Sequence, residues 1–503
     1  MFTKKKSFML INTTVFFLIL FLFSPLMLPQ KKLMFGLNSV FTDPVLHKII
    51  SMPQPTLLEM FKDYHIQYLR YPGGIPTRYY FWDRPDLIDE ALKYHSSYLE
   101  QRGDKRSEYY SNYSDKVSVP ETNYRDFLTF CKQNKVIPII ELNTTLYVDN
   151  NKLYQYEKFQ KQTKNISIQE NRWEKIGEYI KSQMKFTHAI LDNVIWEFGN
   201  EDYFMFDAEE YGTIVINLMD IIHKNYPNDK IIVEMSNSWS KGARKKQWNK
   251  TFIAFLDKKG ALNKIDYFAP HFYDAGGEQY DNSSQMVTKI LKNNVSNFEN
   301  AILSNFPSGF KPKLFYTEYA CVLTSLDNKN YSTQLHGLLT LNYFMRFYAS
   351  PNIVGIIQHA FTTIKNAFFY APSLTSRFDY ITEKNSNSDI FSYIPPQSEA
   401  VKLFYNTCAD NVISFYSTDS YLFLCTETNN NYKVQILNFE EQSQEIDLSS
   451  ISSNIGSKKG SVNTYIFDDL NAHYWNPEKN VKKSELSSYK ISVPKHSFTS
   501  IVY

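Results

Sequence analysis

Two short stretches decide how this 503-residue chain is read: Ile195-Trp196-Glu197-Phe198-Gly199-Asn200-Glu201 and Leu314-Phe315-Tyr316-Thr317-Glu318-Tyr319. Each is an apolar run of strand length that closes on a glutamate, the pattern of a buried parallel strand whose carboxyl end opens onto a cleft. The interval between Glu201 and Glu318 is about three strand-plus-helix units of a barrel. Two carboxylates are therefore expected to converge on one pocket.

Working outward, further apolar runs read as strands at 33–38, 66–70, 136–142, 193–198, 230–235, 265–270, 313–317 and 353–358. Between them lie stretches with helical apolar spacing, among them 124–133, 173–186, 209–224, 286–303 and 333–348. Eight alternating units over residues 31–398 predict an α/β fold, a (β/α)8 TIM barrel. The polar stretch 93–119 reads as an insertion on its active face. From 399 to 503 the pattern changes to short alternating runs separated by Asn, Ser, Gly and Lys clusters, which predicts a C-terminal antiparallel β-sandwich. Residues near 31–36 are also candidates for a strand of that sandwich.

Composition narrows the function classes. A chain that is 43% hydrophobic and 21% charged folds around one or two large cores. A formal net charge of +2, with no dense basic run interleaved with aromatics, argues against a nucleic-acid partner. Lys4, Lys5 and Lys6 precede an apolar stretch from Phe8 to about Leu28, so residues 1–30 read as a secretory signal peptide or an uncleaved signal anchor. A secreted or extracytoplasmic location follows as an expectation, with membrane attachment through that segment as one form of it. Four cysteines are too few to carry the fold; Cys408 and Cys425 are spaced either to pair on neighbouring strands or to stay as buried thiols. The chain lacks His-Glu-x-x-His, Gly-x-Ser-x-Gly, a Walker loop and zinc-spaced Cys/His clusters, so no metal or cofactor is expected.

What remains is carboxylate chemistry. One acid that donates a proton to a leaving oxygen, and a second that attacks or activates water, make up the machinery of most glycosidases. Trp-x-x-Gly-Asn-Glu at the end of the fourth strand and Thr-Glu-Tyr at the end of the seventh resemble the clan A retaining glycoside hydrolases. Leu69-Arg70-Tyr71-Pro72-Gly73-Gly74, ending the second strand, resembles more specifically the family 51 α-L-arabinofuranosidases and the related family 39 and family 79 enzymes.

The resemblance implies Glu201 as acid/base, with a pKa raised by burial or a nearby carboxylate, and Glu318 as nucleophile. It implies Asn200 on a sugar hydroxyl and Arg70 and Tyr273 beside Glu318. His271, Gln358 and His359 would line the subsites, with Trp82, Trp196 or Trp239 as stacking platforms. The substrate implied is an oligo- or polysaccharide. Each role has a plainer competitor: a strand-end glutamate can cap a helix, Arg70 can neutralise buried acids without catalysing, and Tyr273 and Gln358 can be core. Glu141 and Glu197, inside strands, read as paired structural groups. A different class of function, an exported carbohydrate-binding or surface protein on an inactive barrel, is the alternative.

Two departures bear on substrate. Ile75 stands where family 51 has Asn after Pro-Gly-Gly, and Asn38 where it has Glu after the first strand. Losing two polar partners disfavours arabinofuranose, because hydrogen bonds to particular hydroxyls discriminate sugars most sharply. A hexuronic acid would need a cation, for which Arg78 and Lys241 to Arg244 are the candidates.

Overall fold

The computed structural model describes residues 33–41, 50, 54–101, 122–156, 167–236, 243–275, 295–322, 333–359, 395–456, 459–470, 472, 474–486 and 488–503. The expected signal segment, most of the 93–119 insertion, Trp239 and Lys241 lie outside them. Among the described residues no helix is long and apolar enough to cross a membrane.

Eight parallel strands close on themselves: β1 (Met34–Asn38), β2 (Tyr68–Tyr71), β3 (Ile137–Leu142), β4 (Ile195–Phe198), β5 (Lys230–Met235), β6 (Tyr267–Pro270), β7 (Leu314–Val322) and β8 (Ile353–Gln358). Each pairs with the next, and β8 returns to β1, so the predicted barrel is present. Helices such as α1 (Gln54–Asp63), α2 (Ile88–Gln101), α3 (Tyr124–Asn134), α4 (Arg172–His188), α5 (Ala208–Asn225), α6 (Ala243–Lys258), α7 (Val295–Leu303) and α8 (Gln334–Ala349) fall between the strands. Residues 34–38, considered also for the sandwich, form a barrel strand bonded on both sides.

Strand alternation builds the interior. Met34, Tyr68, Ile139, Ile195, Ile232, Ala269, Phe315 and Ile357 point inward and pack into an apolar plug. Two residues further along the same faces come Arg70, Glu141, Glu197, Glu234, His271 and His359, and Asn38 pairs with Arg70 on the inward face of β1. The barrel therefore has an oily floor and a polar rim at its carboxyl end. The alternate residues, including Leu37, Leu69, Ile140, Trp196, Val233 and Ile356, face the helices in the main core.

Beyond the barrel, α9 (Pro396–Thr407) leads into β9 (Asn411–Ser417), β10 (Tyr421–Thr428), β11 (Asn431–Asn438), β12 (Gln444–Asp447), β13 (Gly460–Ile466), β14 (Val481–Leu486), β15 (Lys490–Val493) and β16 (Ser497–Val502). Six of these make one antiparallel sheet, ordered β9-β10-β11-β16-β13-β14, and β12 pairs with β15. One face of the large sheet, with Phe423, Val434, Ile436, Val462 and Ile501, packs on Ile446, Ile491 and Val493 of the small one. The other face, through Leu422, Leu424, Leu437 and Phe498, joins the barrel core. The sequence reading overlooked β14, whose Val-Lys-Lys-Ser-Glu-Leu is largely exposed and lacks an apolar face, and α9, which spans the expected boundary at 398. Cys131, Cys408 and Cys425 are buried free thiols, so Cys408 and Cys425 do not pair.

Candidate active site

Arg70 organises the rim. Its side chain is fully buried, and its guanidinium donates through Nε to Glu197 Oε2 at 2.6 Å and through Nη1 to Glu318 Oε1 at 2.8 Å. Nη2 meets Glu141 Oε1 at 2.7 Å and donates to Asn200 Oδ1 at 3.0 Å. Burial works against the Arg70 charge, but the carboxylates of Glu141, Glu197 and Glu318 outweigh it and raise the pKa. Most of its donors lock the rim together, and one touches Glu318. Glu141 also accepts from the backbone N–H groups of Gly73 and Gly74, fixing the turn after β2. Gly74 has φ +77, and a Cβ there would lie 3.1 Å from Glu318 Oε1. The glycine is what lets the turn approach the carboxylate.

Glu201 lies three residues past β4, in the left-handed region at φ 52 and ψ 38, which a non-glycine residue keeps only when its surroundings impose it. Glu234, at the end of β5, imposes it. Its two carboxylate oxygens accept from the backbone N–H of Glu201 at 2.6 Å and of Asp202 at 2.9 Å. Arg78 Nη2 donates to the carbonyls of Asn200 and Glu201 at 2.7 and 3.1 Å, closing the loop from the other side. The Glu201 side chain stays 25% exposed and accepts from Tyr203 Oη at 2.6 Å.

Glu318 is almost buried and reaches the rim through an irregularity. The register of β7 against β8 shifts between Tyr316 and Tyr319, so Glu318, not Thr317, meets Arg70. Tyr273 Oη donates to Glu318 Oε2. His271 Nδ1 stands 3.3 Å from Glu318 Oε2 and 3.6 Å from Glu201 Oε1. Those two carboxylate oxygens are thus no more than about 7 Å apart, in the range of two-carboxylate hydrolytic sites.

The charges set the protons. Burial pushes the Glu318 carboxyl up, but His271, Arg70 and the Tyr273 hydroxyl outweigh it and hold it far below the usual range. Burial likewise opposes a charge on His271, yet Glu318 and Glu201 raise its pKa to about 9. Glu201 departs from expectation: burial raises it, but the contact and charge of His271 prevail and lower it.

Several expected ligands are placed elsewhere. Asn38 is fully buried with both amide ends engaged, Oδ1 by Arg70 and Nδ2 by His359 Nδ1 at 2.7 Å, so it ties the rim together and does not face a sugar. Gln358 shares the outward face of its neighbour Leu37, where its amide is buried; alternation delivers His359 to the rim instead. Trp82 packs on Tyr124 and Phe186, and fully buried Trp196 donates to Asp229 Oδ2 at 2.6 Å, so both are structural. Arg78 is committed to the Asn200 and Glu201 carbonyls. Glu234 and Tyr203 were missed; a second acid inside an apolar strand, Ile231-Ile232-Val233-Glu234, was the available signal.

Glu197, Glu234 and His271 present ligand atoms within 4.8 Å of one another, the one described cluster that could hold a metal ion. Both oxygens of each glutamate already accept hydrogen bonds, Glu197 from Arg70 and Glu234 from the Glu201 loop, so coordination would dismantle the rim.

No family model matches this sequence, and no curated protein does. Solved structures match at high probability. An α-L-arabinofuranosidase from Thermotoga maritima, in its arabinose complex, superimposes with a TM-score of 0.62 at 13% identity, over 94% of this chain and 97% of that one. A family 51 α-L-arabinofuranosidase from Bifidobacterium longum gives 0.61 at 12%, over 94% and 96%. A family 30 endoxylanase from Clostridium papyrosolvens gives 0.51 at 12%, over 94% and 97%. The likeness runs nearly end to end at low identity, and what it establishes is that this chain has the barrel-plus-β-domain fold of those structures.

Proposed function

We propose that this protein is a retaining glycoside hydrolase, with Glu318 as nucleophile and Glu201 as acid/base. The observation that carries the hydrolase reading is the convergence of a strongly ionised carboxylate and a solvent-reaching one on His271, their oxygens within about 7 Å; retention is taken from the resemblance of the Gly199-Asn200-Glu201 and Thr317-Glu318-Tyr319 motifs to the clan A retaining enzymes. The match in fold to solved arabinofuranosidases and a xylanase supports it. A purely structural rim has no need of Tyr273 and Arg70 on one oxygen each of Glu318.

Glu318 attacks the anomeric carbon, forming a glycosyl ester as the leaving oxygen departs. As that bond forms, the Glu318 charge is consumed, His271 loses its main stabilising neighbour, and its proton moves to Glu201 and on to the leaving oxygen. Glu201 then takes a proton from the water that cleaves the ester and passes it back to His271 as the Glu318 carboxylate is regenerated. Asn200, anchored by Arg70, keeps its Nδ2 donor for a hydroxyl of the bound sugar. The occupied state of Asn38 and the presence of Ile75 support a glycone other than arabinofuranose. Export is proposed on the strength of Lys4 to Lys6 and the apolar stretch after them.

The test is turnover on a panel of nitrophenyl glycosides. Wild type should hydrolyse at least one, Glu318→Ala and Glu201→Ala should fall by about 10³-fold or more, and azide should rescue Glu318→Ala as a glycosyl azide. A wild-type protein that binds oligosaccharides and cleaves none would favour the carbohydrate-binding alternative.

A further inference from the structure

We infer a second, non-catalytic binding site for a neutral oligosaccharide, in the groove between α9 and the large sheet of the C-terminal domain. The inference rests on the glycosidase reading for its choice of ligand class.

The groove is a hollow of about 1030 Å³, ample for several sugar units. One wall is the face of α9 that carries Glu399, Lys402 and Asn406, residues three or four apart and so on one side of the helix. The other wall is the barrel-facing side of the sheet. There, strand register places Ser500 of β16 beside Asn463 of β13, and Asn463 beside Lys483 of β14, in one row across three strands. A polar row on a sheet face turned toward another domain is unusual, since the same face further along carries Leu437 and Phe498 and is packed.

Ser500 Oγ is buried, lines the hollow and has no hydrogen-bond partner among the described residues. A buried hydroxyl without a partner is costly unless something else satisfies it. At the mouth stands Tyr474, 58% exposed and the most exposed large hydrophobic side chain described, and Tyr465 also borders the hollow. The exposed ring of Tyr474 and the partly buried one of Tyr465, beside amides and a hydroxyl without a partner among the described residues, offer apolar surface and hydrogen bonds together, which is what the faces and edges of a pyranose require.

Charge excludes ionic ligands. Glu399 is bonded to Tyr64 Oη at 2.6 Å, and Lys433 Nζ donates to the carbonyls of Asn406 and Cys408 at 3.3 and 3.1 Å. Lys402, Lys483 and Glu478 bring both signs to the rim, so neither an anion nor a cation finds a one-signed field. Tyr64 follows α1 and leads into the amino end of β2. The groove is thus at the opposite end of the barrel from Glu201 and Glu318. It would hold a polymer near the enzyme without extending the catalytic subsites.

Native affinity electrophoresis of the Glu318→Gln protein in gels containing arabinoxylan, debranched arabinan or mixed-linkage β-glucan tests this. Retardation by at least one polymer is expected, and Tyr474→Ala in the same background should weaken it at least tenfold. Ser500→Ala should weaken it several-fold while leaving the melting temperature unchanged or higher, which a merely structural serine would not do. In the active protein, Tyr474→Ala should leave turnover of aryl glycosides within twofold and raise KM on the retarding polymer. No retardation by any of the three, or equal retardation of the Tyr474→Ala protein, overturns the proposal. Hydrolysis of aryl glycosides without retardation removes the groove alone. Tyr474-dependent retardation in a protein that hydrolyses nothing keeps the groove and removes the glycosidase reading.

Discussion

Replacing His271 with Gln probes the centre of the site without needing a substrate. The imidazole stands between Glu318 and Glu201, which raise its pKa from 6.5 to about 9. A group whose folded pKa exceeds its unfolded value stabilises the fold fully below the unfolded pKa and loses that contribution as pH rises through the folded one. The window is therefore pH 6.5 to about 9. At about 1.4 kcal/mol per unit, the linked loss across it is up to about 3–4 kcal/mol. Denaturant unfolding of wild type, followed by fluorescence at half-unit steps from pH 6 to 10, should show stability declining through that window. The His271→Gln protein should lack this component and be less stable than wild type at pH 6.5. Its Glu318, deprived of its largest favourable charge, should also titrate higher, so the acid side of its stability curve moves upward in pH. Parallel curves for the two proteins between pH 6.5 and 9 would show that His271 is uncharged in the folded state, and the proton inventory proposed for the reaction would be wrong.

Three further outcomes follow from the rim. Tyr273→Phe removes a hydrogen bond to the Glu318 anion, worth about 1.5–3 kcal/mol, so kcat/KM on an aryl glycoside should fall about 10- to 150-fold and the acidic limb of its pH profile should rise; an unchanged limb would dissociate Tyr273 from Glu318. Glu234→Gln keeps the shape but leaves one of the two loop N–H groups, Glu201 or Asp202, without its carboxylate acceptor, so kcat should drop by about 10-fold or more with KM little changed; an equal rise in KM would argue for direct contact with substrate. Gly74→Ala forces a methyl to 3.1 Å from Glu318 Oε1 on a backbone only glycine adopts comfortably, costing about 1–3 kcal/mol of stability, read by thermal melting.

The barrel was legible because its strands are short apolar runs spaced by helices, and β5 and β8 fall at the predicted residues. Helix α5 exceeds its predicted span by a residue at each end. The sandwich was legible for the same reason wherever one face is apolar, and failed at β14, an edge strand whose alternation carries no hydrophobic signal. At the site, Arg70, Asn200, His271 and Tyr273 gather around Glu201 and Glu318. Of the neighbours Gln358 and His359, both expected at the subsites, only His359 reaches the rim, because successive residues of a strand point to opposite faces.

By itself the sequence determined the order of elements and which residue types stand at the strand ends, since both are local patterns of hydrophobicity with a fixed period. Only the tertiary structure decided how those residues share charge. That Asn38 is consumed by Arg70 and His359, that the shift in β7 brings Glu318 to the arginine, and that Glu234 bends the Glu201 backbone depend on closure of the barrel. Closure brings together groups hundreds of residues apart in a dry interior, where a displacement of an ångström changes which carboxylate an arginine or a histidine serves.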